Sequence, residues 1–102
     1  MIKPEAIERM IANGRDGYEA RLAAGQARLR AGDLNRAIEH LEKALEFKPA
    51  RTMAWQELGK ARQQIGDADG ARDAWQRGRE VAAVNGDKQA EKVMGVWLRR
   101  LE

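Results

Sequence analysis

Ala27-Arg28-Leu29-Arg30-Ala31-Gly32-Asp33-Leu34-Asn35-Arg36-Ala37-Ile38 decides the fold of this chain. Thirty-four residues later it returns as Ala61-Arg62-Gln63-Gln64-Ile65-Gly66-Asp67-Ala68-Asp69-Gly70-Ala71-Arg72, with Ala, Arg, Gly, Asp and Ala in register. Gly32 and Gly66 fit the residue just past a helix, where the backbone turns left-handed and only glycine does so cheaply. Asp33 and Asp67 fit the N-cap of the next helix, accepting hydrogen bonds from its unpaired first-turn amides. A stop followed at once by a start makes a hairpin of two antiparallel, touching helices. The chain is therefore a repeat protein built from helical hairpins.

Working outward, residues 4–13 form a first helix, with Pro4 at its first position and Ile7, Met10 and Ile11 on one face. Asn13-Gly14 ends it. Asp16 is expected to cap a second helix over 17–31, which carries Tyr18, Leu22, Ala24, Ala27 and Ala31. The third helix, 34–47, should bury Ala37, Ile38, Leu41, Ala44, Leu45 and Phe47, with Glu39 and Lys43 as a surface pair. Lys48-Pro49 stops it, because the residue before proline avoids the helical region. A fourth helix over 51–65 carries Trp55, Leu58, Gly59, Ala61 and Ile65. The fifth, 68–83, carries Ala71, Trp75, Gly78, Val81 and Ala82. Asn85-Gly86 and the cap Asp87 lead into a sixth over 88–101, with Ala90, Val93, Met94, Val96, Trp97, Leu98 and Leu101. No stretch alternates with period two, so the fold class is all-α.

Gly25 and Gly59 sit mid-helix, 34 residues apart. Each costs about 1 kcal/mol against alanine. A periodic cost needs a periodic reason, and the reason expected is close approach by a neighbouring helix. Trp75 aligns with Leu41 and Ile7, which makes it core by register. Trp97 lies on the apolar stripe of the last helix and is also expected in the core.

The chain has 102 residues, no cysteine and a formal net charge of +3. That length suits one domain. Without cysteine there are no disulfides and no thiolate chemistry. The basic residues are interspersed with acids, which disfavours a nucleic-acid partner. No run approaches the roughly 18 apolar residues of a membrane span, and the N-terminus has no apolar signal core. The expectation is a soluble, cytoplasmic protein. The single histidine, His40, is expected as a surface residue. Asp33, Asp67 and Asp87 already have capping tasks. There is no phosphate loop, metalloprotease motif or nucleophile elbow, so no catalytic residue, metal or cofactor is assigned and the chain is expected not to be an enzyme.

These residues resemble the tetratricopeptide repeat family, and more loosely the small stand-alone bacterial proteins of that family. The first repeat spans 18–51, with Gly25, Ala37, Leu41, Ala44 and Pro49. The second spans 52–85, with Trp55, Leu58, Gly59, Ala71, Trp75 and Gly78. Trp55 falls at a large-residue position of the family, and the resemblance puts it in the core as well. Arg21, Arg28, Arg62 and Ala83 depart from the family pattern of Trp, Tyr, Tyr and Pro. Shifting Leu41, Ala44 and Leu45 back by 34 lands on Ile7, Met10 and Ile11, so 1–17 is patterned as the second helix of a missing repeat. Shifting Gly59 and Arg62 forward lands on Val93 and Val96, so 86–102 is patterned as the first helix of a following one. The resemblance implies an α-α superhelix of six antiparallel helices: half a repeat, two repeats and another half.

The resemblance also implies a protein-interaction scaffold or adaptor that holds a peptide or protein segment in a concave groove. The lining positions carried over are Leu22, Gln26, Leu29, Arg30, Met53, Gln56, Lys60 and Gln63. Arg30 and Lys60 would favour acidic groups on the partner. The carboxylate clamp of the family's chaperone-tail receptors falls on Leu22, Gln26, Glu57, Asp87 and Glu91, where no cation remains. The alternative is a self-assembling module pairing through its terminal helices. Arg99, Arg100 and Glu102 interrupt the last apolar run and favour a capped end, hence a monomer over a homodimer.

This register predicts that Ala71→Leu overpacks a helix contact and costs roughly 1–3 kcal/mol. Ala68→Leu, one turn earlier on the surface side, should cost clearly less in the same urea titration. Equal losses would refute the register.

Overall fold

The computed structural model describes residues 2–101; Glu102, expected to interrupt the last apolar run, lies outside them. Six helices follow in order: α1 (Pro4–Ala12), α2 (Tyr18–Arg30), α3 (Leu34–Phe47), α4 (Thr52–Gln64), α5 (Ala68–Asn85) and α6 (Lys88–Arg100). No strand occurs among the described residues. Each stop signal works through its backbone. Gly14, Gly32, Gly66 and Gly86 all have positive φ. At the central hairpin Gly32 N–H donates to Leu29 O and Asp33 N–H to Arg28 O, and the same pair of bonds recurs at Gly66 and Asp67. These crossed bonds use up carbonyls the helix end leaves unpaired.

Helix starts divide into two kinds. Asp67 accepts from Gly70 N–H at 2.8 Å and Asp87 from Ala90 N–H at 3.1 Å, as capping requires. Asp33 makes no such bond. Its carboxylate instead faces Arg28 at 3.4 Å and Arg36 at 3.9 Å, two guanidiniums that outcompete a backbone amide. Asp16 is not a cap either, because the N-cap residue is Gly17. Asp16 accepts from Gly17 N–H and from Arg21.

The helices stack in two layers. α4 touches both α2 and α6, while α3 packs on α2 and α4, and α5 on α4 and α6. The backbones of α2 and α4, and of α4 and α6, approach more closely than those of α3 and α5, so the array bends toward the side formed by α2, α4 and α6. The central core gathers Tyr18, Leu41, Leu45 and Leu58 around alanines of α3, α4 and α5. Trp75 and Met94 anchor a second cluster toward the C-terminal end. Ile7 with Ala24 and Ala27 makes a third against α1. Among the described residues no helix is long and apolar enough to cross a membrane.

The mid-helix glycines are contact points. A Cβ on Gly25 would lie 2.7 Å from Leu41 Cγ, and one on Gly59 would lie 2.1 Å from Trp75 Nε1. With no side chain in the way, Trp75 Nε1–H reaches the Gln56 carbonyl at 3.2 Å. Some expected core residues lie outside. Met10 is 43% exposed, at the mouth of a cavity it shares with Ile2, Ile7, Ala20 and Ala23. Phe47, the last residue of α3, and Ile65, just past α4, are exposed. Ala31 is exposed in the turn. Lys43 pairs with Glu46 at 3.6 Å rather than with Glu39. Trp55 and Trp97 are half-buried, each packed against its cluster.

Gly95 differs from Gly59. A Cβ there would meet only the Arg79 guanidinium, at an ordinary 3.8 Å. Gly95→Ala should therefore stabilise the protein by about 0.5–1 kcal/mol through helix propensity. Gly59→Ala gains the same propensity but must displace Trp75, and should destabilise by about 1–3 kcal/mol net. Urea denaturation followed by circular dichroism measures both, with opposite signs expected.

Candidate interaction surface

The layer formed by α2, α4 and α6 carries the residues singled out for binding. Leu22 and Leu29 of α2 are half-buried against the central core, beside Trp55. Gln26 is half-buried and Arg30 is exposed. On α4, Met53 is 44% exposed. Gln56 is half-buried, and its carbonyl is taken by Trp75. Lys60 Nζ lies 5.1 Å above the Trp97 ring and 3.7 Å from Glu57. Gln63 is exposed.

These side chains do not share one cavity. Lys60 and Gln63 line a cavity of about 190 Å³ with Trp75, Trp97 and Arg100. Arg30 lines another, of about 320 Å³, with Ile2, Lys3, Pro4, Ala27 and Ala31. The positions matching the family's carboxylate clamp are occupied otherwise: Glu57 by its pairing with Lys60, and Asp87 by capping α6 and accepting from Thr52.

A polar cluster that periodicity did not reveal lies between α1, α2 and α3. Arg28 is almost fully buried, and its guanidinium donates to both oxygens of Glu8, one bond being 3.0 Å long. Glu8 Oε2 also lies 2.7 Å from His40 Nε2. Arg21 Nη1 lies 3.1 Å from His40 Nδ1. A guanidinium can only donate, so Nδ1 accepts and Nε2–H donates to Glu8. His40 is thus not a surface histidine: it is mostly buried and joins three helices. Both ring nitrogens are engaged, which leaves neither free to move a proton on a substrate. The same pairing recurs one repeat later, where Arg62 reaches Glu42 at 3.0 Å and also donates to Gly70 O. Glu8 and Glu42 are themselves 34 residues apart, and that spacing was the available signal. It explains why arginine replaces the family's tyrosine at both positions.

Hydrogen bonds from Arg28, helped by His40, hold the Glu8 carboxyl well below the usual carboxylate range, at about 2. Arg21 likewise lowers Asp16. Among the described residues no group of three His, Cys, Asp or Glu side chains is placed to hold a metal ion.

Comparison with known proteins agrees with this geometry. A family model described as tetratricopeptide repeat matches residues 18–61. The TPR repeat-containing protein PA0015 of Pseudomonas aeruginosa is 49% identical over 98 residues, which is 96% of this chain and 93% of that protein. The solution structure of protein BPP2914 from Bordetella parapertussis is 39% identical, with a TM-score of 0.85 over 99% of this chain and 88% of that one.

The Glu8 cluster predicts an acid sensitivity. A carboxylate whose folded pKa is depressed stabilises the fold above its unfolded value, and that stability fades as pH falls toward the folded value. Between roughly pH 4.5 and 2 the wild type should lose the stability Glu8 contributes. Glu8→Gln should cost about 1–3 kcal/mol at pH 7 and flatten this part of the stability curve. Thermal melts from pH 7 to pH 2.5 read both effects.

Proposed function

Because the chain belongs to the tetratricopeptide repeat family, whose repeats generally mediate protein–protein interaction, we propose that it is a non-catalytic adaptor acting in the cytoplasm. It holds a peptide or protein segment along the face of α2, α4 and α6. The observation that carries this reading is the make-up of that face. Met53 stands out from it as a large exposed apolar side chain, on a layer that also carries the amides of Gln26 and Gln63 and the cations Arg30 and Lys60. A thioether adapts to irregular apolar partners. Amides offer both donors and acceptors to a peptide backbone. The chain works as a monomer that presents this face to its partner.

A second reading, self-assembly through the terminal helices, has one observation in its favour: α1 exposes Met10, and Ile2 just before it is 68% exposed. The other end argues against it. Val93 stands where the register places Gly25 and Gly59, so α6 lacks the notch that receives the next helix in the complete repeats.

Met53→Glu should lower affinity for a captured partner about tenfold while leaving the far-ultraviolet spectrum unchanged, and the partner should protect α2 and α4 amides from hydrogen exchange. Sedimentation equilibrium separates the two readings. A dimer abolished by Met10→Glu and indifferent to Met53→Glu would favour assembly.

A further inference from the structure

The cavity between α4 and α6 has a chemistry of its own. Its walls are Lys60, Gln63, Trp75, Trp97 and Arg100. Lys60 and Arg100 are cations that can only donate hydrogen bonds, and an indole N–H only donates as well. Trp75 spends its N–H on Gln56, whereas Trp97 makes no side-chain hydrogen bond among the described residues. Gln63 alone among these side chains can also accept. Such a lining selects a ligand group that is all acceptor and negatively charged. Glu57, which does not line the cavity, sits 3.7 Å from Lys60 and leaves one net positive charge across Lys60, Arg100 and Glu57.

Size and shape narrow the ligand. About 190 Å³ admits one side chain rather than a helix. A nucleobase finds little open ring to stack on. Lys60 already stands over Trp97, and Trp75 leans against it at 5.1 Å with a 46° tilt. Cation–π contact with Trp97 and the charge of Glu57 hold the Lys60 ammonium in place before any ligand arrives. This preorganisation lowers the ordering cost of binding. The family's clamp positions on this chain, Leu22, Gln26, Glu57, Asp87 and Glu91, include none of the five lining residues.

We propose that this cavity takes the carboxylate of a Glu or Asp side chain from the protein segment bound along α2, α4 and α6, an inference that rests on the interaction reading above. Lys60 and Arg100 supply the charge, Gln63 and the Trp97 N–H supply further donors, and the cavity sets where along the segment an acidic residue must fall.

Selection from a displayed random peptide library on the intact protein tests this, with the Lys60→Met/Arg100→Gln double variant in parallel. Peptides enriched on the wild type should carry Glu or Asp at one fixed position. Replacing that residue by Gln in the synthetic peptide should weaken binding about tenfold or more, and raised salt should weaken binding of the acidic form selectively. The double variant should lose the preference. Arg100 lies in the last turn of α6, where it also complements the helix end, and the peptide-side swap to Gln needs no protein variant should the double variant fail to fold. Peptides that shift Gln26 and Met53 amide resonances but are indifferent to the swap would overturn the cavity proposal and leave the interaction face standing. A library that yields no binder would overturn both. Tighter binding of a single-stranded oligonucleotide, dependent on Lys60 and Arg100, would overturn the assignment to an acidic peptide.

Discussion

The meeting of Trp75 with the bare backbone of Gly59 is the contact on which the rest of the array depends. The indole occupies the space a Cβ would need, and its N–H bonds a carbonyl of the facing helix. Helix contacts this close fix the separation of α4 and α5 and remove any freedom to slide. Because α5 is seated this way, its next turn presents Gly78 both to Trp55 of α4 and to Met94, which in turn seats α6. The equivalent contact one repeat earlier, Leu41 on Gly25, does the same for α2 and α3. Each glycine gives up roughly 1 kcal/mol of helix propensity. Closer packing around a fully buried Trp75 and Leu41 offsets this.

Apolar contact alone does not tie successive repeats together. Arg28 reaches back to Glu8, and Arg62 reaches back to Glu42. These pairs join the first helix of one repeat to the second helix of the repeat before, the Arg28 pair in partly buried surroundings and the Arg62 pair at the surface. The series stops at Val96, whose register partner is Gln76. There the chain turns from ionic to apolar contact, with Trp97, Leu98 and Leu101 packed against the last cluster. The two ends of the array are therefore unlike each other: α1 adds a polar cluster to the packing of Ile7 and leaves Met10 open, whereas α6 is held by apolar packing.

His40 illustrates how position overrides composition. A lone histidine on an apparently polar stretch of helix has every sequence reason to be solvated. Here it is the point where α1, α2 and α3 meet, between Glu8 and Arg21. Its contribution is cohesion rather than proton transfer, since both nitrogens are committed. The residues of the proposed binding face show the reverse. Leu22 and Leu29, carried over as lining positions, also pack on the core, whereas Met53 projects.

Local backbone chemistry was open to reading from the residues themselves. The Gly-Asp pairs, Lys48-Pro49 and the periodic glycines locate six helices because their meaning depends only on near neighbours and on a 34-residue period. The core positions Leu41 and Trp75 follow from the same period, and Leu58 and Met94 from the apolar spacing within their own helices. Side-chain partnership was decided only in three dimensions. Asp33 and Asp67 share the Gly-Asp turn, yet Asp67 caps its helix while Asp33 turns to Arg28 and to Arg36, which stands where the next repeat has Gly70. Arg30 and Lys60 look like one basic surface in the register but line separate cavities, and Trp97 and Arg100 join Lys60 only once α6 lies against α4. The physical reason is range: backbone stops and starts act within a turn, whereas a long charged side chain chooses among whatever partners tertiary packing brings within about 4 Å.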